Sequence, residues 1–176
     1  MKKICIIFLA FFIIILSAVG LGGNSSAQTQ YLRIHIRANS NLSVDQAVKY
    51  RVRDGVVEYL TPLVAECETR GEAEEKLSGR LDEIACLAGG ILSEYGFSYG
   101  AKAALVNETF PTRLYGEYTL PAGEYRALIV YLGEGAGDNW WCVVYPPLCF
   151  SNVSGNVVYK SKIAEIIEQW RVNTRS

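Results

Sequence analysis

The stretch Gly133–Phe150 reads GEGAGDNWWCVVYPPLCF. It starts with a glycine-rich loop, continues as the strand-like segment Asn139–Tyr145, and ends at two adjacent prolines, which a central strand does not accommodate. Successive side chains of a strand point to opposite faces, so either Trp140 or Trp141 projects outward while the other enters the core, or both are buried under a closing helix. We therefore expect a strand that is held between two conformationally special loops.

The segment immediately before this stretch is a second strand. Glu124–Leu132, EYRALIVYL, is rich in β-branched and aromatic residues, and the glycine loop Gly133–Asp138 is expected to join it to Asn139–Tyr145 as its partner. The loop superficially resembles a nucleotide-binding loop, but it lacks G-K-[ST] and strand sequence follows it, so no helix N-terminus is available for a phosphate. A hairpin or bulge loop is the better interpretation, and no cofactor is predicted.

Further strands are indicated upstream. Ala101–Asn107 and Glu117–Leu120 have short strand patterns with turns between them, which suggests an antiparallel meander. Tyr31–Arg37, YLRIHIR, alternates strictly and predicts a half-buried strand with His35 on its solvated or partner-facing side.

Helical patterns separate the first strand from the others. A capping box at Ser43–Gln46 starts a helix with Val44 and Ala47 on its inward stripe and Lys49 off that stripe, and Pro62 interrupts this helix. A second capping box at Thr69–Glu72 starts a helix that ends before Gly96. Ser161–Val172 is a closing amphipathic helix. The predicted fold class is α+β, a helical hairpin and a C-terminal helix packed on a mostly antiparallel sheet.

The N-terminus has the pattern of an export signal. Lys2 and Lys3 precede the apolar run Ile4–Leu16, and Ser25-Ser26-Ala27 supplies small residues for cleavage. Residues 1–27 are predicted to be a signal peptide; the alternative is an uncleaved membrane anchor, since Ile4–Leu21 is about long enough to cross a bilayer. Residues 28–176 then form one exported domain, which contacts a membrane only through the N-terminal segment.

Export changes the interpretation of the cysteines. Four remain outside the signal, an even number on the oxidising side of a membrane. Cys142 and Cys149 are close in sequence, and we predict that they form a disulfide. Cys67 and Cys86 form either a second bridge or two buried free thiols, because both lie in helical sequence.

Composition excludes several functions. A net charge of -1 gives no basic surface for nucleic acid. A metal site is disfavoured, because there is no close C-x-x-C pair and His35 is the only histidine. Catalysis by His35 with Cys142 or Cys149 needs a reduced cysteine and is also disfavoured. The residues therefore indicate a secreted binding domain and not an enzyme.

Three segments carry a family resemblance. They are IRANSN at Ile36–Asn41, DQAVKYRVRDGVVEYL at Asp45–Leu60 and FPTRLYGEYTLPAGEYRALIVYLGEGAGDNWWCVVYPPLCF at Phe110–Phe150. Together they resemble the stage II sporulation protein R family over nearly the whole exported chain. One departure is Asn41, where the family pattern is acidic.

The resemblance implies a signalling role. Family members are exported across the forespore membrane into the intermembrane space, where they activate a membrane-embedded aspartic protease of the mother cell. That protease then removes the pro-sequence of a sigma factor. A different hypothesis is an exported hydrolase of the cell wall. The residues predicted to contact the protease are Asn39, Ser40, Trp140, Trp141, Pro146, Pro147 and Leu148.

Overall fold

The computed structural model describes residues 30–115 and 118–148. In chain order the elements are β1 Leu32–Arg37, α1 Ser43–Ala65, α2 Arg70–Ser78, α3 Leu81–Glu94, β2 Ala101–Phe110, β3 Arg113–Tyr115, β4 Tyr118–Leu120, β5 Gly123–Leu132 and β6 Asn139–Tyr145. Three helices and a mixed, mostly antiparallel sheet confirm the predicted α+β class. The predicted signal segment and the predicted helix Ser161–Val172 lie outside the described residues.

The main sheet has the strand order β2-β5-β1-β6, and β3 pairs with β4 in a separate two-stranded sheet. β1 runs parallel to β5 and antiparallel to β6, while β2 is antiparallel to β5. The predicted hairpin between β5 and β6 is therefore wrong, because β1 lies between these strands. The glycine loop Gly133–Asp138 consequently passes over the end of β1 instead of making a tight turn.

β1 is buried on both faces, so the prediction of a half-buried strand is wrong. Ile34 and Ile36 enter a core that the three helices share with one face of the sheet. Arg33 and His35, on the other face, are also fully buried beside a second cluster of mainly aromatic residues that includes Phe110. The alternation of β1 correctly separated two faces, but the polar face meets other residues and not water.

α1 continues through Pro62 to Ala65, although the sequence predicted an interruption. Pro62 and Glu58 are both exposed, so water can satisfy the carbonyl group that the missing proline N–H leaves free. The inward stripe also differs at the start of the helix. Val44 and Ala47 are exposed, whereas Lys49, which was expected off the stripe, is buried.

The predicted second helix is divided into α2 and α3. Thr69 Oγ1 accepts a hydrogen bond from the Glu72 amide at 3.2 Å, so the predicted N-cap is confirmed. Gly96, with φ 80°, ends α3, and the next amide, that of Phe97, donates to the Leu92 carbonyl at 2.9 Å. α2 and α3 contribute to the helix-side core Ala73, Leu77, Ile84, Ala88 and Leu92.

Cys67 and Cys86 are free thiols, so a bridge between them is not formed. Cys67 is buried beyond the end of α1, where its Sγ donates to the Leu63 carbonyl at 3.3 Å, while Cys86 lies on the exposed side of α3. Cys142 is fully buried in β6. Cys149 lies outside the described residues, and the Cys142–Cys149 disulfide stays a prediction.

Candidate functional site

Two loops meet where β1 ends. The segment Ala38–Asn41 leaves β1, and the glycine loop Gly133–Asp138 crosses over it; we call this pair the docked loops. The backbone amide of Gly137 donates to the Ala38 carbonyl at 2.9 Å, and that of Ala136 donates to the Asn39 carbonyl at 3.2 Å. The two loops are therefore joined along their backbones, as in a short extension of the sheet.

Two asparagine side chains complete this junction. Asn39 Oδ1 accepts from the Glu134 amide at 3.0 Å, and Asn41 Oδ1 accepts from the Asp138 amide at 2.6 Å. The carboxylate that the family pattern has at position 41 could accept the same bond, since both side chains present an oxygen at the same reach. In this chain Asn41 shapes the junction.

Asp45, in the first turn of α1, accepts hydrogen bonds from the first of the docked loops. Its carboxylate accepts hydrogen bonds from Asn39 Nδ2 at 2.9 Å, Ser40 Oγ at 2.5 Å and Tyr99 OH at 2.6 Å. Burial raises the pKa of Asp45, but the hydrogen bonds from Ser40, Tyr99 and Asn39 together outweigh it, and the pKa lies below its ordinary value. Asp45 is thus a buried anion that orders this loop.

Lys49 supports the glycine loop from the same helix. It is buried, and its Nζ donates to Gln46 Oε1 at 2.6 Å and to the Asp138 carbonyl at 3.0 Å. Burial lowers the pKa of Lys49, and the Asp138 charge opposes that shift. The predicted capping box at Ser43 is wrong: no side chain caps α1, and Gln46 Nε2 donates to the Ser40 carbonyl at 2.9 Å.

The glycines of this loop are needed for two different reasons. Gly133 and Gly135 have φ of 55° and 62°, a conformation that residues with a Cβ rarely adopt. Gly137 is needed for space, because a Cβ there would stand 2.9 Å from Ser40 Cα and closer still to the Ser40 carbonyl group. The glycine loop is therefore an element that docks on the first loop, and not the hairpin loop that its sequence predicted.

Trp140 lies close to the docked loops. It is half-buried and packs against the helix-side core, with the Arg53 guanidinium 5.8 Å from its ring centre. The same guanidinium lies 5.0 Å from the ring centre of Tyr50, which is exposed. Arg53 therefore connects Trp140 to the surface of α1.

Trp141 faces the opposite core, so the two tryptophans lie on opposite faces as predicted, but both are half-buried and neither of the two predicted arrangements is met in full. Its ring stacks on that of His35, with centroids 3.8 Å apart, and meets Phe110 edge-on at 4.7 Å. Trp141 is thus half-buried and serves as a cover for the histidine.

His35 is fully buried, so the expectation of a solvated or partner-facing histidine is wrong. Its Nδ1 lies 3.4 Å from Glu108 Oε2, and Arg37 pairs with the same carboxylate. Burial lowers the pKa of His35, although hydrogen bonding and the Glu108 charge oppose this. Cys142 pairs with Ile34 across the strands and lies in the other core, so His35 and Cys142 cannot form a dyad.

The remaining predicted contact residues lie at the other end of β6. Pro146 and Pro147 are buried, and Leu148 is half-buried and packs against the aromatic core. Leu32 pairs with Tyr145, so these residues are next to the start of β1, about 20 Å from the docked loops along a six-residue strand. The structure therefore brings together Asn39, Ser40 and Trp140, and separates them from Pro146, Pro147 and Leu148.

Sequence reasoning missed Asp45, Lys49 and Tyr99. Asp45 was given no role beyond its place in the predicted capping box, Lys49 was expected off the inward stripe of the helix, and Tyr99 was assigned to no element. Tyr99 is 54 positions from Asp45, and no local pattern announces that pairing. The polar run after β1 gave no further signal, because asparagine and serine are also the usual residues of a turn.

The described part of the chain has no cluster of three or more His, Cys, Asp or Glu side chains that could hold a metal ion. None of the described helices is both long enough and apolar enough to cross a membrane.

The comparisons with known proteins agree with the motif resemblance. A family model described as stage II sporulation protein R matches residues 28–155, a range that includes both docked loops. The chain belongs to the stage II sporulation protein R family. Stage II sporulation protein R of Bacillus subtilis (strain 168) is 35% identical over 173 residues, which cover 92% of this chain and 77% of that protein. No solved structure matches the chain. Membership of this family supports a role in sporulation.

Proposed function

We propose that this chain is a signalling protein that activates a membrane-embedded aspartic protease during endospore formation. Its N-terminal segment directs it across the forespore membrane into the intermembrane space. There it binds the extracytoplasmic side of the protease, which lies in the mother-cell membrane, and the protease then removes the pro-sequence of a mother-cell sigma factor. Proteolysis belongs to the partner, and this chain supplies no catalytic group.

The observation that carries the proposal is the construction of the docked loops. The segments IRANSN and GEGAGDN, which both belong to the family resemblance, are distant in sequence and joined by four hydrogen bonds. Buried Asp45 and Lys49 support one loop each. A surface fixed in this way loses little conformational entropy when it binds, which favours recognition of a protein partner.

Activation also has a thermodynamic requirement. A ligand shifts a conformational equilibrium only as far as it binds one state better than the other. The proposed signal must therefore bind the active arrangement of the protease more tightly than the inactive one, for instance a dimer in which the catalytic site is complete.

The geometry disfavours the alternative of a cell-wall hydrolase. A general base must reach the proton it removes, and His35 is fully buried beneath Trp141. Arg33, on the same strand face, lies among aromatic rings, with its guanidinium 4.0 Å from the Phe110 ring centre. This polar cluster is part of the core.

The proposal is tested by reconstitution. The exported chain, the protease and the pro-sigma factor are produced together in a bacterium that does not sporulate, and processing is followed by immunoblot. We expect processing only when all three are present, and none when a catalytic aspartate of the protease is replaced. Processing that is equally strong without this chain would contradict the proposal.

A further inference from the structure

The end of the molecule that carries the docked loops also carries most of the large apolar side chains that are exposed among the described residues. Among the described residues five large apolar side chains are exposed, and four of them are at this end: Leu42 at 66%, Val44 at 57%, Tyr50 at 45% and Tyr95 at 51%. Leu42, Val44 and Tyr50, together with exposed Ala47, follow the first loop directly. We call Leu42, Val44, Ala47 and Tyr50 the apolar patch.

The patch has a fixed position relative to the loops. The Leu42 amide donates to Ser40 Oγ at 3.1 Å, and Ser40 is itself bound to Asp45. Val44 and Ala47 are three residues apart on α1, so they are neighbours on the helix surface. Folding gains nothing from leaving these side chains in water, and contiguous exposed apolar surface is typical of an interaction site.

Cations extend the patch on both sides. The Arg51 guanidinium lies 5.9 Å from the ring centre of Tyr95, at the end of α3. On the other side Arg53 connects Tyr50 to Trp140, as described above. Interface hot spots are rich in Trp, Tyr and Arg surrounded by apolar contacts, and this composition matches that pattern.

The described chain begins and ends at the far end of the sheet. Gln30 precedes β1, and Pro146–Leu148 follow β6, whose Tyr145 pairs with Leu32. Gln30 and Leu148, the first and last described residues, therefore lie at the end of the sheet opposite to the docked loops and the apolar patch.

We infer that the apolar patch is the surface that binds the water-exposed side of the membrane-embedded protease, with Leu42 and Val44 as its anchors. This inference rests on the proposed function, and it changes the predicted contact set: Trp140 stays at the edge of the surface, while Pro146, Pro147 and Leu148 lie at the wrong end.

The charges around the apolar patch indicate that its binding partner is a protein and not a lipid surface. Arg51 and Arg53 are accompanied by exposed Asp54, Glu134 and Asp138, and Arg53 pairs with Asp54 at 2.6 Å. Binding to anionic lipid depends on a local excess of basic residues, which this end does not have. The partner therefore offers an apolar surface with charges of both signs at its rim.

The test uses the reconstituted processing assay with the full chain. In the double variant Leu42→Ser/Val44→Ser we expect processing to fall roughly tenfold or more, because both apolar side chains lose their burial in the interface and a tenfold change corresponds to only about 1.4 kcal/mol. Leu114→Ser is the matched control, because Leu114 is 69% exposed and lies in β3, after β2 has returned to the opposite end of the sheet. We expect this control to process at the wild-type rate.

Ala47→Arg is a second disruptive variant, because arginine is a good helix former and position 47 is exposed, so folding is preserved. Thermal unfolding of each purified variant accompanies the assay. If Leu42→Ser/Val44→Ser and Ala47→Arg fold and process like the wild type, the inference is wrong and the proposed function stands. If the wild type itself does not activate the protease, the proposed function has failed.

Two further results would also overturn the inference. One is co-sedimentation of the wild type, but not of the double variant, with phosphatidylglycerol vesicles, which would make a lipid surface the occupant. The other is a wild-type dimer in sedimentation equilibrium that the double variant does not form, which would make a second copy the occupant. An equal loss of processing in Leu114→Ser and in the double variant would contradict the inference that binding depends on the apolar patch beside the docked loops.

Discussion

We predict that replacing Gly137 by alanine, which adds a single methyl group, forces the docked loops apart. The new Cβ would stand 2.9 Å from Ser40 Cα and would overlap the Ser40 carbonyl group. These atoms belong to the backbone, and the neighbouring Ser40 side chain is bound to Asp45, so the first loop cannot simply rotate a side chain away. The glycine loop must move instead.

The size of the effect follows from the bonds that this movement breaks. Four hydrogen bonds cross the junction, with donor–acceptor distances of 2.9, 3.2, 3.0 and 2.6 Å. Each contributes about 0.5–1.5 kcal/mol net, and two of them are exposed to water and belong at the lower end. We therefore expect Gly137→Ala to lower the free energy of unfolding by about 2–4 kcal/mol.

Urea denaturation measures this loss, and amide hydrogen exchange locates it at residues 134–138. Gly90→Ala is the matched control, since a Cβ at Gly90 in α3 would meet nothing within 4 Å. Alanine is favoured over glycine in a helix interior, so the control should gain about 0.5–1 kcal/mol. A Gly137→Ala domain within about 0.5 kcal/mol of the wild type, the usual range for an inconsequential surface change, would refute the docking argument.

Three further predictions concern buried polar groups and thiols. Asp45→Asn removes the buried carboxylate and should cost about 1–3 kcal/mol in urea denaturation, whereas the exposed Asp54→Asn should change stability by less than about 0.5 kcal/mol; equal effects would contradict the role of Asp45. Burial lowers the pKa of His35 below 6.5, so the unfolded chain binds a proton at a pH at which the folded chain does not, and the free energy of unfolding should fall as the pH drops from about 7.5 to 5.5. If a His35→Gln chain shows the same dependence of stability on pH, that dependence belongs to other groups. In mass spectrometry after alkylation of the native protein, Cys86 should be labelled and Cys67 only after denaturation, because Cys67 is buried and its pKa is raised by burial; a chain that labels at neither site before reduction would indicate a bridge.

The elements of the fold were largely predictable, because local patterns decide them. The period of Tyr31–Arg37 and the β-branched run Glu124–Leu132 identified β1 and β5, and Thr69 and Gly96 marked a helix start and a helix end. The order of the strands was not predictable. The insertion of β1 between β5 and β6 joins residues about a hundred positions apart, and no local pattern records such pairings.

The candidate site shows a similar division. Asn39, Ser40 and Trp140 were among the residues predicted to contact the protease, and they lie together near the end of β1. What they do was misjudged, because the hydrogen bonds of Asn39 and Ser40 are turned inward, towards Asp45 and the glycine loop. Polar loop residues look available for binding in a sequence, and only the fold shows that their donors and acceptors are already used.

Variants that lose signalling must be interpreted according to whether the replaced residue stabilises the fold or contacts the protease. Replacing Asn39 or Trp141 removes interactions of the fold itself, a hydrogen-bond junction in one case and the cover of His35 in the other. Loss of signalling in such a variant does not identify a contact with the protease, because the unfolded fraction rises at the same time. The side chains of Leu42 and Val44 are 66% and 57% exposed, so their replacement removes little of the packing that stabilises the fold. A loss of signalling at unchanged stability is therefore informative at these two positions, and it is there that a binding surface can be separated from its scaffold.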